Sequence, residues 1–407
     1  MSCLNPRIRV PFDLDEGTEV DYAMPTETFY LDGTVREHRQ RVHNKAIILP
    51  TVYDPRWHLE MYSDWFADHL PGAMAIPCGT CYACRLNRKL DTTQRLVAES
   101  IDYLRVDKSQ VNFITFTYNE ESVPWGLQAF RYNGNPTVDW VHSLNKYDLQ
   151  KFMKVFRQRL RREFGWSEER AENVKMYSCG EYGSKGNRPH YHMILYGVPE
   201  SVLLSYNPRE SRRGNTLAHP NLFISDYLES LWGKGFVKYE RADSGTMAYT
   251  AGYVIKKIKD EYQKESEEHL YSLATGKPVE YEPYRNGFRE RRPDDLREPE
   301  YRWGSLGLGK RWYQQHKAEL RANPDYDQID GLMKIPLKPA LYYDRLYESE
   351  FPEDYAVLKE HRLVKAAKMR ATTLATNHYN LNLIKEKNKN TVMARVERAK
   401  RRDQFYD

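Results

Sequence analysis

The segment from Arg188 to Tyr196, Arg-Pro-His-Tyr-His-Met-Ile-Leu-Tyr, limits the fold of this chain more than any other part of the sequence. After its proline the side chains alternate with the two-residue period of a β-strand. His190, His192 and Ile194 therefore share one face, on which the two imidazoles stand about 7 Å apart. The other face is apolar or aromatic, as in a strand packed against a core. The segment predicts a buried strand that presents a histidine pair on one side.

A carboxylate is expected beside these histidines. A Gly-rich turn at Tyr182–Arg188 joins the histidine strand to a preceding strand at Val174–Glu181, which makes the two strands antiparallel neighbours. This pairing brings Glu181 near His190 and His192, and we interpret the three residues as metal ligands. Two imidazoles and one carboxylate with open positions suit Mg²⁺ or Mn²⁺ holding a phosphate, while Zn²⁺ is an alternative. A pair of packed or surface histidines is the simpler interpretation of the same pattern.

A helix over about 245–260 carries two tyrosines at helical spacing. Tyr249 and Tyr253 are four residues apart and project from one face, which Lys256 and Lys257 continue. A tyrosine that attacks a phosphate needs in-line geometry, a metal to withdraw charge and cations to stabilise the phenolate. We therefore predict that one or both tyrosines are nucleophiles, and we prefer Tyr253 because the lysines lie within one turn of it. A tyrosine stripe packed in a core is the alternative.

The order of the predicted elements indicates an α+β fold with an antiparallel sheet between about 76 and 260. The chain divides into an N-terminal segment of irregular structure and strands (1–75), the core (76–260), a charged insertion with a Gly-rich loop (261–335) and a basic, helical C-terminal region (336–407). The elements expected around the core are a helix at Arg85–Val106, a strand at Val111–Tyr118, a loop at Pro124–Pro136, a helix capped by Asn145 and a helix at about Asp226–Trp232.

Cys78, Cys81 and Cys84 follow a C-x-x-C-x-x-C spacing that is typical of thiolate ligands. They predict a structural Zn²⁺ site rather than an iron–sulfur cluster, because the fourth cysteine of a cluster motif does not follow. Cys179, Cys3 or a histidine can supply the fourth zinc ligand. Three reduced cysteines without a metal are the alternative.

Gly304–Lys310 spells the start of a phosphate-binding loop, but Arg311 replaces the required Ser or Thr and no buried strand precedes it. We therefore exclude ATP binding at this loop. Its backbone amides remain candidates for holding a DNA phosphate.

The distribution of basic and aromatic residues predicts a single-stranded nucleic acid as partner. The net charge of +5 is modest, so clusters must carry this prediction. The basic clusters are the helix Lys151–Arg162, with Lys154, Arg157 and Arg161 as candidate DNA contacts, and the tail Lys385–Arg402. Arg188 is a further candidate contact. The candidate platforms for base stacking are Trp125, Phe130, Tyr132 and Trp140. Apolar runs fall far short of the ~20 residues that span a membrane, and the N-terminus lacks a signal core. A cytoplasmic location is expected.

Five segments of the chain together resemble the HUH (histidine–hydrophobic–histidine) endonucleases that start rolling-circle replication. They are PCGTCYACRL at Pro77–Leu86, Phe113–Tyr118, GEYG at Gly180–Gly183, RPHYH at Arg188–His192 and YTAGYVIKK at Tyr249–Lys257. The first of these narrows the resemblance to the replication initiators of small single-stranded DNA phages, the gokushovirus-like Microviridae. The resemblance implies an antiparallel sheet of about five strands, flanked by helices, with the histidines on a central strand beside the tyrosine helix.

The resemblance also implies a chemistry. One tyrosine cuts the origin and stays joined to the 5′ phosphate, the freed 3′ hydroxyl primes synthesis, and the second tyrosine cuts the regenerated origin so that a circle is released. The bacterial host would supply helicase, polymerase and single-strand binding protein, and its cytoplasm would be the site of action. Two alternatives remain open, a related HUH transposase or relaxase and a non-catalytic, metal-stabilised nucleic-acid-binding module.

Overall fold

The computed structural model describes residues 7–11, 28–29, 35–36, 46–49, 74–77, 81–132, 135–183, 188–204, 209–210, 222–256, 297–322, 340–378 and 381–403. These residues fall into two compact units, one before Arg85 and one from Arg85 onward.

The described part of the N-terminal unit consists mainly of short strands. They are β1 (Arg7–Pro11), β2 (Thr28–Phe29), β3 (Val35–Arg36), β4 (Ala46–Leu49) and β5 (Met74–Ile76). β1 lies between β4 and β5 in an antiparallel sheet, and β2 pairs with β3.

The second unit is built on a seven-stranded sheet in the order β11-β12-β13-β6-β10-β9-β14. Its elements in chain order are α1 (Tyr82–Val106), β6 (Val111–Tyr118), β7 (Trp125–Tyr132), β8 (Asn135–His142), α2 (Lys146–Phe164), α3 (Glu168–Glu172), β9 (Lys175–Tyr182), β10 (Pro189–Tyr196), α4 (Glu200–Leu203), β11 (Arg209–Glu210), β12 (Phe223–Ile224), α5 (Asp226–Trp232), β13 (Gly235–Arg241), α6 (Ser244–Lys256), β14 (Tyr301–Gly304), α7 (Lys310–Ala322), α8 (Leu341–Glu350), α9 (Pro352–Thr376) and α10 (Leu381–Asp403). All neighbouring strands of the sheet are antiparallel.

This architecture confirms the predicted α+β class with an antiparallel sheet and helical C-terminal segments. The sheet exceeds the expected five strands at both edges. At one edge β11 adds only two residues. At the other edge β14, a strand that the sequence analysis did not predict, pairs with β9 and places Tyr301 opposite Gly180.

One face of the sheet is closed by α2. The apolar stripe of this helix, which includes Leu149 and Phe156, is fully buried against Met193 of β10 and Phe116 of β6. The Asn145 side chain accepts a hydrogen bond from the Tyr147 amide at 3.0 Å, which caps the helix as predicted. The charged residues of α2 are thereby left on its far side, away from the sheet.

The other face, which we call the histidine face, packs against several helices. Ile194 and Phe113 of the sheet share a buried cluster with Leu96 of α1, Met247 of α6 and Tyr313 of α7. α10 contacts α6 and buries its Val392 and Val396 side chains. The histidine face therefore lies under the tyrosine helix.

The expectation of a loop at Pro124–Pro136 is wrong, because β7 and β8 form an antiparallel ribbon there. The alternating sequence Trp-Gly-Leu-Gln-Ala-Phe-Arg-Tyr suits a strand despite its glycine. Asn133-Gly134, between the two strands in the sequence, is the strongest short hairpin signal and outweighs the loop-forming residues around it.

No helix among the described residues is both long and apolar enough to cross a membrane.

Candidate metal and tyrosine site

The register of β10 places both histidines at the centre of the sheet. β10 pairs with β6 on one side and with β9 on the other. His190 lies opposite Glu181 of β9, and His192 lies opposite Cys179. Because directly opposed residues on paired strands point to the same face, the pairing carries Glu181 onto the histidine face.

The three predicted metal ligands meet at one point. The Nε2 atoms of His190 and His192 lie 2.7 and 2.8 Å from the same oxygen, Oε1 of Glu181. The ligand atoms of the three residues all lie within 4.8 Å of one another, the arrangement of a group that can hold a metal ion. The two imidazole rings are nearly perpendicular, at 86°, with centroids 5.2 Å apart.

The hydrogen bonds of His190 fit a cation at this point. Its Nδ1 lies 3.1 Å from the Arg188 carbonyl oxygen, which only accepts, so Nδ1 carries the proton of a neutral ring. The 2.7 Å contact between Nε2 and Oε1 of Glu181 is then either a hydrogen bond from a doubly protonated ring or the spacing of two ligands of one metal ion. The chemistry of this donor set therefore fits a divalent cation.

Glu181 is held as a carboxylate in a buried place. The residue is 3% exposed. Burial opposes its ionisation, but hydrogen bonds from His190 and His192 outweigh burial and lower the pKa to about 2. The carboxylate is thus ionised at neutral pH and ready to bind a cation.

His192 is fixed from two further sides. Its ring stacks on Phe113 with centroids 5.3 Å apart and an interplanar angle of 4°. Its Nδ1 lies 3.0 Å from Oγ1 of Thr115 on β6. Sequence reasoning missed Thr115, although its place on the neighbouring strand, directly opposite His192, is the signal that identifies such an orienting residue.

Tyr249 of α6 lies directly over the histidine face. Its ring meets that of His192 edge-on, with centroids 5.2 Å apart, and also meets Phe113 edge-on. The side chain is 1% exposed. The structure thus brings one of the two predicted nucleophiles against a predicted metal ligand.

The backbone of α6 continues from Tyr249 through Tyr253 to Lys256. Tyr253 lies one turn beyond Tyr249, and Lys256 nearly one turn beyond Tyr253. Lys257 lies outside the described residues. The roles of Tyr253, Lys256 and Lys257 stay predictions.

The predicted DNA-binding residues of α2 are not brought together with the metal ligands. Lys154, Arg157 and Arg161 belong to the helix on the opposite face of the sheet. Arg157 donates to the Val174 carbonyl oxygen at 2.9 Å, and Arg161 pairs with Glu168 at 3.3 Å.

Arg188, by contrast, lies at the start of the histidine strand. Its guanidinium donates to the Tyr118 carbonyl oxygen at 2.7 and 3.2 Å and pairs with Glu120. These contacts tie the end of β6 to β10. The binding of DNA by Arg188 and by the three residues of α2 stays a prediction.

The predicted zinc ligands are described only in part. Cys78 lies outside the described residues, while Cys81 is half-buried and Cys84 is buried. Neither of these two, nor the buried Cys179, is in a disulfide. A structural Zn²⁺ at Cys78, Cys81 and Cys84 stays a prediction.

The Gly-rich loop before α7 is tied to α1. Gly309, with φ of 78°, donates its amide to the buried carboxylate of Glu99 at 2.7 Å, and Arg95 donates to the Leu308 carbonyl oxygen at 3.2 Å. A protein carboxylate therefore accepts from the amide of Gly309, the glycine that precedes the motif lysine.

Fold and site together define an α+β protein in which a central sheet strand and its neighbour hold a carboxylate and two histidines that can bind a metal ion. Residues 111–258, which begin at β6 and include α6, match the family model described as Replication-associated protein ORF2. This part of the chain contains all three candidate metal ligands and both candidate tyrosines.

Known phage proteins resemble the chain over similar lengths. It is 25% identical over 187 residues to the Replication-associated protein VP4 of Bdellovibrio phage phiMH2K, which covers 46% of this chain and 50% of that protein. It is 26% identical over 183 residues to the Replication-associated protein ORF4 of Chlamydia phage 1, which covers 45% of this chain and 38% of that protein. The chain thus spans half or less of the length of these two relatives.

A longer and weaker similarity extends to a third phage. The Replication-associated protein ORF2 of Spiroplasma virus 4 is 22% identical over 330 residues, which cover 80% of this chain and 85% of that protein. No solved structure matches the chain. The resemblance to replication proteins of small Microviridae-type phages is confirmed.

Proposed function

We propose that this chain initiates rolling-circle replication by nicking and rejoining single-stranded DNA at an origin, through a tyrosine joined to the 5′ phosphate. The observation that carries the proposal is the meeting of Glu181, His190 and His192 at one point, with the ring of His192 edge-on to that of Tyr249. A buried carboxylate and two imidazoles beside a phenol are the groups that a metal-dependent tyrosine transesterase needs. The similarity to phage replication-associated proteins supports the same function.

The three ligands would hold Mg²⁺ or Mn²⁺, and such an ion, when bound, supplies charge withdrawal from a phosphate oxygen. The protein's part is to keep the ligands in place. Thr115 and Phe113 fix the His192 ring, the Arg188 carbonyl oxygen fixes His190, and burial keeps water from separating Glu181 from the histidines.

The proposed cleavage exchanges one phosphodiester for another. The phenolic oxygen of Tyr253 or Tyr249 forms a bond to phosphorus while the bond from phosphorus to the 3′ oxygen breaks. The phenol loses its proton and the leaving 3′ oxygen gains one, so no proton is consumed overall. Lys256 and Lys257 would stabilise the negative charge on the phenolate and on the pentacovalent phosphate.

Because the phosphotyrosine conserves the energy of the phosphodiester, the reverse step rejoins DNA without an external energy source. The second tyrosine would cut the regenerated origin, and attack by the free 3′ hydroxyl would close a single-stranded circle. Host helicase, polymerase and single-strand binding protein, acting in the bacterial cytoplasm, would extend the freed 3′ end.

A basic surface lies on the correct side of the sheet for this reaction. α10 contacts α6, buries its Val392 and Val396 side chains and exposes Arg395 and Arg398. Such a cationic helix beside the nucleophile suits the phosphates of a bound single strand.

The test is the formation of a covalent protein–DNA adduct. The protein is incubated with Mn²⁺ or Mg²⁺ and a randomised pool of single-stranded oligonucleotides that carry one dye at the 5′ end and another at the 3′ end. We expect a denaturation-resistant band that retains only the 3′ dye, because the tyrosine keeps the 5′ phosphate of the downstream fragment. The band should disappear with chelator and in the Tyr249→Phe/Tyr253→Phe double variant.

Matched control variants show whether loss of the adduct is specific to the candidate site residues. Tyr147→Phe, at a tyrosine that is 65% exposed, should leave the adduct unchanged. His190→Ala should abolish it, whereas His316→Ala, at a ring stacked on Trp312 far along the chain, should not. An adduct that survives in the double tyrosine variant contradicts the assigned nucleophiles. Binding of the pool without any adduct identifies a non-catalytic DNA-binding module instead.

A further inference from the structure

A lysine from α1 reaches the tyrosine helix. Lys89 is only 3% exposed, although lysine is almost never fully buried without polar compensation. Its side chain runs to Gly252, where a side-chain Cβ would lie 3.0 Å from Cδ, 2.7 Å from Cε and closer still to Nζ. The ammonium group therefore lies directly against the backbone of α6.

The glycine is what permits this approach. Real Cβ atoms essentially never lie under 3.0 Å from another heavy atom, so any side chain at Gly252 would push the Lys89 ammonium away. In Tyr249-Thr-Ala-Gly-Tyr253 the glycine stands three residues after one tyrosine and one before the other. At about 100° per residue, it borders the helix face that carries both tyrosines.

The Lys89 ammonium lies against the turn of α6 that joins the two candidate nucleophiles, and the proposed reaction develops negative charge on one of them. Removing an ammonium from water is costly, and a positive charge near the protein interior acts over several ångströms with less screening than at the surface. Lys256 and Lys257 lie beyond Tyr253 in the sequence, whereas Lys89 approaches α6 between the tyrosines. It therefore supplies a cation that the sequence of α6 does not contain at that position.

We propose that Lys89, seated in the gap left by Gly252, is a positioning residue for the tyrosine helix, which it orients and supplies with a fixed positive charge during cleavage and rejoining. This inference rests on the proposed phosphotyrosine chemistry. It gives Gly252 and Lys89, which are distant in the sequence, a common role at the tyrosine helix. No proton or bond is exchanged by Lys89 itself.

The test combines single-turnover kinetics with a double-mutant cycle. Lys89→Met keeps an unbranched side chain, one atom shorter, and removes its charge, Gly252→Ala displaces the ammonium, and the double variant combines both changes. At saturating DNA and metal, we expect each single variant to form the adduct at least about ten-fold more slowly. The double variant should lose less than the product of the two single losses, because both changes act on the same charge.

Controls separate positioning from simple stability. Arg88→Met removes the same charge from the exposed neighbouring position and should leave the rate within two-fold. The dissociation constant for single-stranded DNA should stay within about two-fold in all variants, and the melting temperature of Lys89→Met should not fall. A lowered melting temperature with parallel loss of DNA binding would assign Lys89 a purely structural role and overturn the proposal.

The outcomes distinguish this inference from the proposed function. Unchanged adduct formation in Lys89→Met, or multiplicative losses in the double variant, overturn the role of Lys89 and leave the tyrosine chemistry intact. If the unmodified protein forms no adduct at all, both proposals fall.

Discussion

The two faces of the central sheet are built from alternating residues of the same strands, yet they carry different kinds of chemistry. On β10, Met193 points into the apolar cluster beneath α2, whereas His192 points to Glu181 and Tyr249. Both side chains are buried, at 0% and 4% exposure. Burial thus serves packing on one face and the placement of titratable groups on the other.

Tyrosines show the same contrast. On the α2 face, the hydroxyl of Tyr118 donates to Asp148 at 2.8 Å and lies 2.8 Å from the hydroxyl of Tyr191. Burial, more than any other cause, raises the pKa of both phenols well above 10. These tyrosines are held protonated in a structural network, whereas Tyr249 lies beside a group that can bind a cation. Tyr249 therefore differs from Tyr118 and Tyr191 in its neighbours and not in its burial.

The largest expected effect comes from substituting two adjacent residues of β10 that point to opposite faces of the sheet. His192→Ala should lower the rate of adduct formation by more than about 100-fold, because a candidate metal ligand is lost. Met193→Ala should cost about 2–5 kcal/mol of unfolding free energy through the cavity it leaves, while each folded molecule keeps its activity. Adduct kinetics and chemical denaturation measure the two effects. Equal loss of activity per folded molecule in both variants would remove the distinction between the faces.

A smaller effect is expected from the residue that orients His192. Thr115→Val removes the hydroxyl 3.0 Å from Nδ1 while keeping the shape of the side chain. We expect Mn²⁺ affinity, measured by calorimetry or electron paramagnetic resonance, to fall by about ten-fold. Thr93→Val, whose hydroxyl donates to the Lys89 carbonyl oxygen within α1, serves as the control. An unchanged Mn²⁺ affinity would mean that packing on Phe113 alone fixes the ring.

The basic helices α10 and α2, which lie on opposite faces of the sheet, are expected to differ in their contribution to DNA binding. Arg395→Ala/Arg398→Ala on α10, on the tyrosine side, should weaken single-stranded DNA binding by about ten-fold at low salt and reduce the salt slope by about 1.4. Lys154→Ala/Arg161→Ala on α2 removes the same charge from the opposite side and should cost less than about three-fold. Fluorescence anisotropy over a salt series measures both. Equal losses would show that the strand also contacts α2, as its sequence alone predicts.

The smallest effect is expected at the β7–β8 ribbon. Trp125 and Trp140 are 57% and 53% exposed on one face of the ribbon, where aromatic side chains can stack on bases. Trp140→Ala should weaken DNA binding by about five-fold, equivalent to about 1 kcal/mol of stacking. Leu341→Ala, at an apolar side chain of equal exposure on α8, should have no effect. Quenching of tryptophan fluorescence by DNA in the wild type but not in the variant would locate the contact.

The grouping of the three candidate metal ligands could be predicted because its signals are local. Alternation along β10 and a short turn to β9 suffice to place Glu181 beside the histidines, whatever surrounds the sheet. The same local signals give the bounds of β6 and α5 without error.

Other features depend on contacts between distant segments. An amphipathic pattern shows that α2 covers a sheet but not which face of the sheet it covers. The sequence therefore allows its basic residues to hold DNA near the histidines. The contact of Lys89 with Gly252 joins two helices that the sequence separates widely, and neither residue stands out by spacing. The sequence does not predict β14 for the same reason, because its partner strand β9 lies more than a hundred residues earlier.

The central claim is that the histidine face carries out tyrosine chemistry. Its most direct test is to digest the Mn²⁺-dependent protein–DNA adduct and to identify by mass spectrometry the residue that bears the nucleotide phosphate. The account predicts the modification on the peptide of α6, at Tyr249 or Tyr253, and on no tyrosine of the α2 face. A nucleotide attached to Tyr118, Tyr191 or an exposed tyrosine such as Tyr147, or to a serine, would contradict it.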